Sequence, residues 1–206
     1  MTISSRSGIV WLLTGLNLLN YLDRYLITAV SPRIQDELLL NDFQTGAILS
    51  AFMLGYFVTS PAFGALGDRY PRRGLIAAGV GLWSIATAVS GLARGFLTMV
   101  MARITVGVGE ASYATLAPTI IDDISDAKSK NRWLAVFYAA IPVGSALGFV
   151  LGGFIEKQWN WRVAFFVAGL PGILLALLVL LMKEPERKGE RPKTSDPIAA
   201  VRELLA

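Results

Sequence analysis

The chain contains no cysteine and no histidine in its 206 residues. Their absence excludes disulfides, thiolate catalysis, imidazole metal sites and histidine proton relays. Charge is also sparse. Asp, Glu, Lys and Arg make up 17% of the chain, against about 25% in soluble domains. What fills the space is apolar: 54% of residues are hydrophobic and the mean hydropathy is +0.54. These residues gather into runs of about twenty, each long enough to cross a ~30 Å hydrocarbon core. Such a chain is expected to be an integral, multi-pass membrane protein. The first apolar stretch is not expected to be a cleaved signal peptide, because it carries Asn17, Asn20, Asp23 and Arg24 and lacks a small-residue cleavage site.

Six membrane helices are expected, at about Gly8–Val30, Phe43–Leu66, Gly74–Leu92, Phe96–Ile121, Trp133–Ile155 and Trp161–Met182. Backbone exposed to lipid must satisfy its own hydrogen bonds, so the spans should be helical. Ser31-Pro32 is expected to end the first, since proline lacks a donor and disfavours helix in the residue before it. Pro61, Pro118, Pro142 and Pro171 lie within or near the ends of other spans and read as kinks.

Basic residues set the orientation. With the N-terminus inside, the inner segments hold Arg6, Arg69, Arg72, Arg73, Lys128, Lys130, Arg132 and the basic residues beyond Met182. The outer segments hold only Arg33, Arg94, Lys157 and Arg162. The positive-inside rule therefore places both ends of the segment in the cytoplasm. It also explains the +4 net charge without a nucleic-acid partner. Trp11, Trp133, Trp159 and Trp161 lie near span ends, where amphipathic rings favour the interface.

Residues 1–182 read as the six-helix transmembrane unit. Residues 183–206 read as a charged cytoplasmic linker. Ser195-Asp196-Pro197 starts an amphipathic helix within it. The chain reaches Ala206 just as that helix begins, and further chain is expected beyond it.

Small residues recur every fourth position: Gly144, Gly148 and Gly152 in the fifth span, and Ala164, Ala168, Gly172 and Ala176 in the sixth. This spacing lets helix backbones approach closely. It serves either fixed packing or a surface that rocks. Gly107-Val-Gly109 is no dinucleotide fingerprint, since no strand precedes it.

Four charges fall inside spans: Asp23 and Arg24 in the first, Arg103 and Glu110 in the fourth. A charge at mid-bilayer costs at least ~2.5–3.5 kcal/mol, so these should face a bundle interior or water. Arg103, Gly107 and Glu110 share one helix face. At 1.5 Å per residue, Arg103 is roughly 10 Å from the outer end of its span and Glu110 roughly 20 Å, while Asp23 is roughly 22 Å from the inner end of its own. Asp23 and Arg103 then sit at similar depth and can pair, with Glu110 deeper. Ionised, the four groups sum to zero. Protonating Asp23 or Glu110 leaves the site positive and ready for an anion, and arginine offers a fork suited to phosphate or carboxylate. A purely structural ion-pair network is the other reading.

Gly64-x-Leu66-x-Asp68-Arg69-x-x-Arg72-Arg73 resembles the signature loop of the major facilitator superfamily, with Pro71 where a glycine is usual. Arg103-x-x-x-Gly107-x-Gly109-Glu110-Ala111 resembles its fourth-helix motif. Ile141-Pro142-Val143-Gly144-Ser145-Ala146-Leu147-Gly148 resembles its fifth-helix motif. Asn20-Tyr21-Leu22-Asp23-Arg24 and Val106 through Tyr113 are similar to the spinster branch. The resemblance implies an all-α membrane fold: six helices as two inverted three-helix repeats, one half of a twelve-helix transporter. It implies a proton-coupled transporter of an amphiphilic anion, lysophospholipid or sphingosine-phosphate-like, working by alternating access. Asp23 and Glu110 would couple protons, and Arg24 and Arg103 would engage the headgroup or balance the acids. Gly64, Gly67, Asp68, Arg69, Arg72 and Arg73 would form an inner gating loop. The implied partners are membrane lipids, an anionic or zwitterionic amphiphile and a second six-helix half. No cofactor or metal is expected beyond the proton gradient, and a bacterial inner membrane is the expected location. A proton symporter of small organic or sugar acids and a non-transporting receptor or assembly subunit are the alternatives. An enzyme is not expected, for want of a nucleophile–base pair at membrane depth.

Overall fold

The computed structural model describes residues 3–188. They form six helices: α1 (Arg6–Glu37), α2 (Asp42–Arg69), α3 (Arg72–Ser90), α4 (Phe96–Ile124), α5 (Lys130–Gln158) and α6 (Trp161–Leu180). The linker helix expected from Ser195 lies outside the described residues. Local sequence sets several helix starts. Ser5 accepts from the Gly8 amide to begin α1, and Asn160 accepts from Val163 to begin α6. Asn41 and Gln44 cap α2 reciprocally.

Proline does not end α1 as expected. The helix runs through Pro32 to Glu37. The carbonyl that Pro32 leaves without an amide partner belongs to Thr28, and the Ser31 hydroxyl donates to it at 2.9 Å.

By length and apolarity alone, α2, α3, α5 and α6 qualify as membrane spans. Two helices, α1 and α4, fall short because they carry the polar and charged residues of the interior, including Asn17, Asn20, Asp23, Arg103 and Glu110, all buried. These two helices are central. The packing pairs are α1 with α5, α2 with α4, α3 with α6, α3 with α4, and α1 with α6. Exchanging α1–α2–α3 for α4–α5–α6 maps this set onto itself, which is the mark of two structural repeats.

Close backbone approach makes those pairings. A Cβ on Gly148 would stand 2.4 Å from the Leu22 carbonyl oxygen of α1. One on Gly107 would stand 1.9 Å from the Phe52 carbonyl oxygen of α2. Only glycine fits at either place.

Two apolar clusters fill the bundle. Leu13, Leu16, Val80, Trp83, Tyr113, Ile120 and Phe137 belong to one, near the end where α1 begins and α6 finishes. Leu26, Ile27, Val30, Met99, Trp161 and Phe165 belong to the other, toward the far end. Asp23 on α1 and Arg103 on α4 lie between them in sequence, and Glu110 lies about two turns further along α4. At the far end, beyond the apolar part of α1, Glu37 accepts from Trp161 Nε1 at 2.6 Å and from Arg162 at 2.8 Å. Arg162 also donates to the carbonyls of Gly91 and Ala93, tying α1, α6 and the α3–α4 turn together. Trp161 is therefore buried rather than an interfacial ring. The hydrogen bonds from Arg162 and Trp161 hold the Glu37 carboxyl below its ordinary range.

Two outcomes follow from the packing. In detergent-solubilised protein, Gly148→Ala should lower unfolding stability by roughly 1–3 kcal/mol through overpacking. Gly153→Ala, where an added Cβ meets nothing within 4 Å, should stay within about 0.5 kcal/mol. For Glu37, a depressed folded-state value means its contribution is complete above the ordinary 4.5 and is lost as pH falls below it. Half-exposure and screening limit that contribution to about 1 kcal/mol or less. Thermal melts should show Glu37→Gln less stable than wild type near neutrality, the two converging in acid.

Candidate functional site

Asp23 and Arg24 are adjacent on α1 and so point about 100° apart. They reach different residues of α4. Asp23 and Arg103 are each 1% exposed, and the closest approach of their charged atoms, Oδ1 to Nη1, is 3.9 Å. The other Asp23 oxygen, Oδ2, accepts from the Thr87 hydroxyl of α3 at 2.6 Å. Arg24 Nη2 donates directly to Glu110 Oε2. The Arg24 guanidinium also stacks near the rings of Phe52 and Tyr21, at 4.5 and 5.0 Å from their centroids. The pairing expected for Asp23 and Arg103 is present but loose. The Arg24–Glu110 pair is a contact that depth alone did not anticipate.

A loose pair leaves polar atoms without partners. Among the described residues, none of the three guanidinium nitrogens of Arg103 finds a hydrogen-bond partner, nor do Asp23 Oδ1, Glu110 Oε1 or Asn20 Nδ2. Buried polar groups in proteins are rarely left so, because desolvation without a hydrogen bond is costly. The five donors of the Arg103 guanidinium thus lie unpaired, among the described residues, in the buried interior beside Asp23. Chemically, that arrangement suits an oxyanion. Below it, the polar side chains serve structure: Asn17 donates to the Phe137 carbonyl at 2.8 Å and Tyr113 to that of Leu13 at 2.6 Å.

The basic segment between α2 and α3 departs from expectation. It is not a ten-residue loop, because Gly64–Arg69 completes α2 and only Tyr70 and Pro71 are non-helical. Pro71 sets the turn, since the residue before a proline is driven to extended backbone, and Tyr70 has φ −104° and ψ 160°. Gly67 is buried against Leu116 of α4, whose Cδ2 would lie 2.2 Å from an added Cβ. Gly64 faces Thr115 more loosely.

The arginines diverge in role. Arg72 is buried and donates to Asp123 at 2.5 Å and Thr119 at 3.0 Å, both on α4. Arg73 donates to the Met182 carbonyl at 3.0 Å. Asp68 and Arg69 are exposed, and their side chains meet no hydrogen-bond or ion-pair partner among the described residues.

Residues after α6 fasten this end. The Glu184 carboxylate accepts from the amides of Arg72 and Arg73 at 2.9 and 3.0 Å, at the positive end of α3. Arg187 donates to the carbonyls of Gly67, Asp68 and Tyr70 at the negative end of α2. Lys188 does the same for Asp122 and Ser125 at the end of α4. The linker is thus a set of charges matched to three helix ends. Sequence reasoning missed Thr87, Asp123, Glu184, Arg187 and Lys188. Only Glu184, Arg187 and Lys188 carried a signal, as charges directly after an apolar span.

Known proteins share both the sequence and the geometry. The profile of the Major Facilitator Superfamily matches residues 13–206. Protein spinster of Drosophila melanogaster is 41% identical over 179 residues, covering 86% of this chain and 30% of the fly protein. Human protein spinster homolog 1 is 41% identical over 184 residues, covering 87% of this chain and 35% of the human protein. A crystal structure of a bacterial homologue of the human lysosomal transporter Spinster, inward-facing and unoccupied, superposes with a TM-score of 0.83 at 29% identity. That match covers 97% of this chain and 49% of the homologue. The chain therefore spans about a third of the length of these curated relatives and half of the solved one. Its two-repeat bundle, its central charged helices and its sequence agree, and the chain belongs to the Major Facilitator Superfamily.

Proposed function

We propose that this chain forms the N-terminal half of a proton-coupled transporter that moves an amphiphilic anion by alternating access. The observation that carries this reading is Arg103: a guanidinium 1% exposed, 3.9 Å from its nearest acid and without a hydrogen bond among the described residues. A phosphate or carboxylate in the polar layer would satisfy it bidentately. Binding there competes with Asp23 and Glu110 for the two arginines. An acid that loses its cation in a low-dielectric site gains affinity for a proton. Anion binding and protonation then favour one another, and the four-charge layer stays near neutrality. The rings of Tyr21 and Phe52 beside Arg24 suit an apolar tail. The names of the relatives, among them a lysosomal transporter, support transport and leave the lipid reading as our own.

A second six-helix half would complete the cavity. Apart from Ile48, Gly55 and Gly67, the residues of α2 are incompletely buried in this half. Its Leu54, Phe57 and Val58 are exposed, as are Val143 and Val150 of α5. The end bearing Arg72 and the linker is cytoplasmic in this reading, in a bacterial inner membrane. Arg72 and Arg73 hold that end of the half together. Asp68 and Arg69 are the gate residues left to engage the other half.

The test is uptake by the complete protein in proteoliposomes. Asp23→Asn should abolish pH-gradient-driven accumulation of a lysophospholipid, by at least roughly tenfold, while counterflow exchange persists. Arg103→Ala should abolish both, with Arg103→Lys intermediate because it lacks the fork. Undiminished gradient-driven uptake by Asp23→Asn would contradict proton coupling there. Uptake of a small organic acid that lysolipid does not inhibit would favour the organic-acid alternative.

A further inference from the structure

Asp23 and Arg103 are opposite charges, both buried. A buried carboxylate and guanidinium at liberty close to hydrogen-bonded contact, at about 2.7–2.9 Å. Their attraction rises steeply where the dielectric is low. Yet the nearest approach is 3.9 Å, and Arg103 donates no hydrogen bond. Something holds the carboxylate back.

Thr87 is what touches it. Its hydroxyl donates to Asp23 Oδ2 at 2.6 Å, and Thr87 is fully buried. Ser84, Thr87 and Ser90 recur every third residue and share one buried face of α3. The Ser90 hydroxyl donates to the Ala86 carbonyl of its own helix, and Ser84 Oγ has no partner. Of the three, only Thr87 donates to another helix. Nor can α3 follow Asp23 toward α4. A Cβ on Gly79 would meet Ser112 Oγ of α4 at 1.8 Å, and one on Gly169 of α6 would meet the Ser84 carbonyl of α3 at 2.6 Å. α3 is wedged between the two, so Thr87 is a fixed anchor.

We propose that Thr87 is a positioning residue: by holding Asp23 Oδ2 on α3 it keeps the carboxylate from closing on Arg103, and so keeps that guanidinium available to an anionic group. The role rests on the proposed anion binding at Arg103. Without the hydroxyl, Asp23 swings onto Arg103 and competes with the anion. That competition exists only while Asp23 is ionised. The charged groups around Asp23 are Arg103 and Glu110 from α4 and Arg24 from α1, while α3 contributes the Thr87 hydroxyl alone.

The experiment uses the complete protein with wild-type, Thr87→Val, Thr87→Ala, Thr87→Ser and Asp23→Asn forms. One arm is infrared spectroscopy, with the Asp23 carboxylate band assigned by subtracting the Asp23→Asn spectrum. Thr87→Val and Thr87→Ala should shift that band, and Thr87→Ser should restore it. The other arm is uptake of lysophosphatidylglycerol. At neutral to alkaline pH, both Val and Ala variants should raise KM roughly five- to tenfold, the weight of one hydrogen bond, with kcat within about twofold. The gap should close in acid, where Asp23 is protonated in every variant. An Asp23 band unmoved in both Val and Ala variants overturns the proposal. So does a KM raised equally at all pH values, which is what a packing defect alone gives. If the wild type takes up no lysophosphatidylglycerol, the lipid reading fails, and the infrared arm still decides whether Thr87 sets the Asp23 carboxylate.

Discussion

Two ion pairs cross between α1 and α4 in the middle of an apolar bundle, and the rest of the half is arranged around the cost of keeping them there. A charge in hydrocarbon is expensive, and a buried pair recovers that cost only with good geometry and further hydrogen bonds. Arg24 and Glu110 recover part of it by direct contact, with aromatic rings beside the guanidinium, while Arg24 Nε and Glu110 Oε1 have no partner among the described residues. Asp23 and Arg103 do not: one oxygen is taken by Thr87 and the guanidinium is left unsatisfied. One pair is closed and the other is loose. A structural network would be expected to close both. The open pair is the basis of the proposed anion site.

Packing delivers the two central helices to each other without making the surroundings rigid everywhere. Glycines on α5 sit on the α1 backbone, and glycines on α2 and α4 interlock in the symmetry-related position. Each repeat therefore presents one central helix backed by a close-packed partner from the other repeat. At one end, Glu37 and Arg162 join α1, α6 and the α3–α4 turn. At the opposite end, Glu184, Arg187 and Lys188 bind the tips of α3, α2 and α4. Those contacts fix the half as a body. In the proposed transporter, motion between two such bodies, rather than within one, would expose the charged layer alternately.

The sequence made the fold legible because hydrocarbon is an unforgiving solvent. The six spans follow from apolar runs of membrane length, and the inward-facing charges of α1 and α4 and the Asp23–Arg103 pairing follow from charge position and helical rise. The misreadings have local causes. Pro32 reads as a stop, but the Ser31 hydroxyl satisfies the orphaned Thr28 carbonyl. Gly67–Arg69 reads as loop because glycines and charges signal loops, whereas Gly67 admits Leu116 of α4 to a continuing helix. Trp161 reads as interfacial, but Glu37 brings its indole into the packed far end. Thr87 was invisible, since a threonine in a membrane helix ordinarily bonds its own backbone, and nothing along the chain distinguishes one that reaches across.

Exchange of a carboxylate for an external anion at the buried arginines is the central claim, and it has a proton signature independent of transport. The direct measurement is proton uptake when lysophosphatidylglycerol is added to the complete protein in weakly buffered detergent near pH 7. Displaced acids should take up on the order of one proton per anion bound, and a variant combining Asp23→Asn with Glu110→Gln should take up none. Binding without any proton uptake would contradict the linkage between the anion and the charged layer.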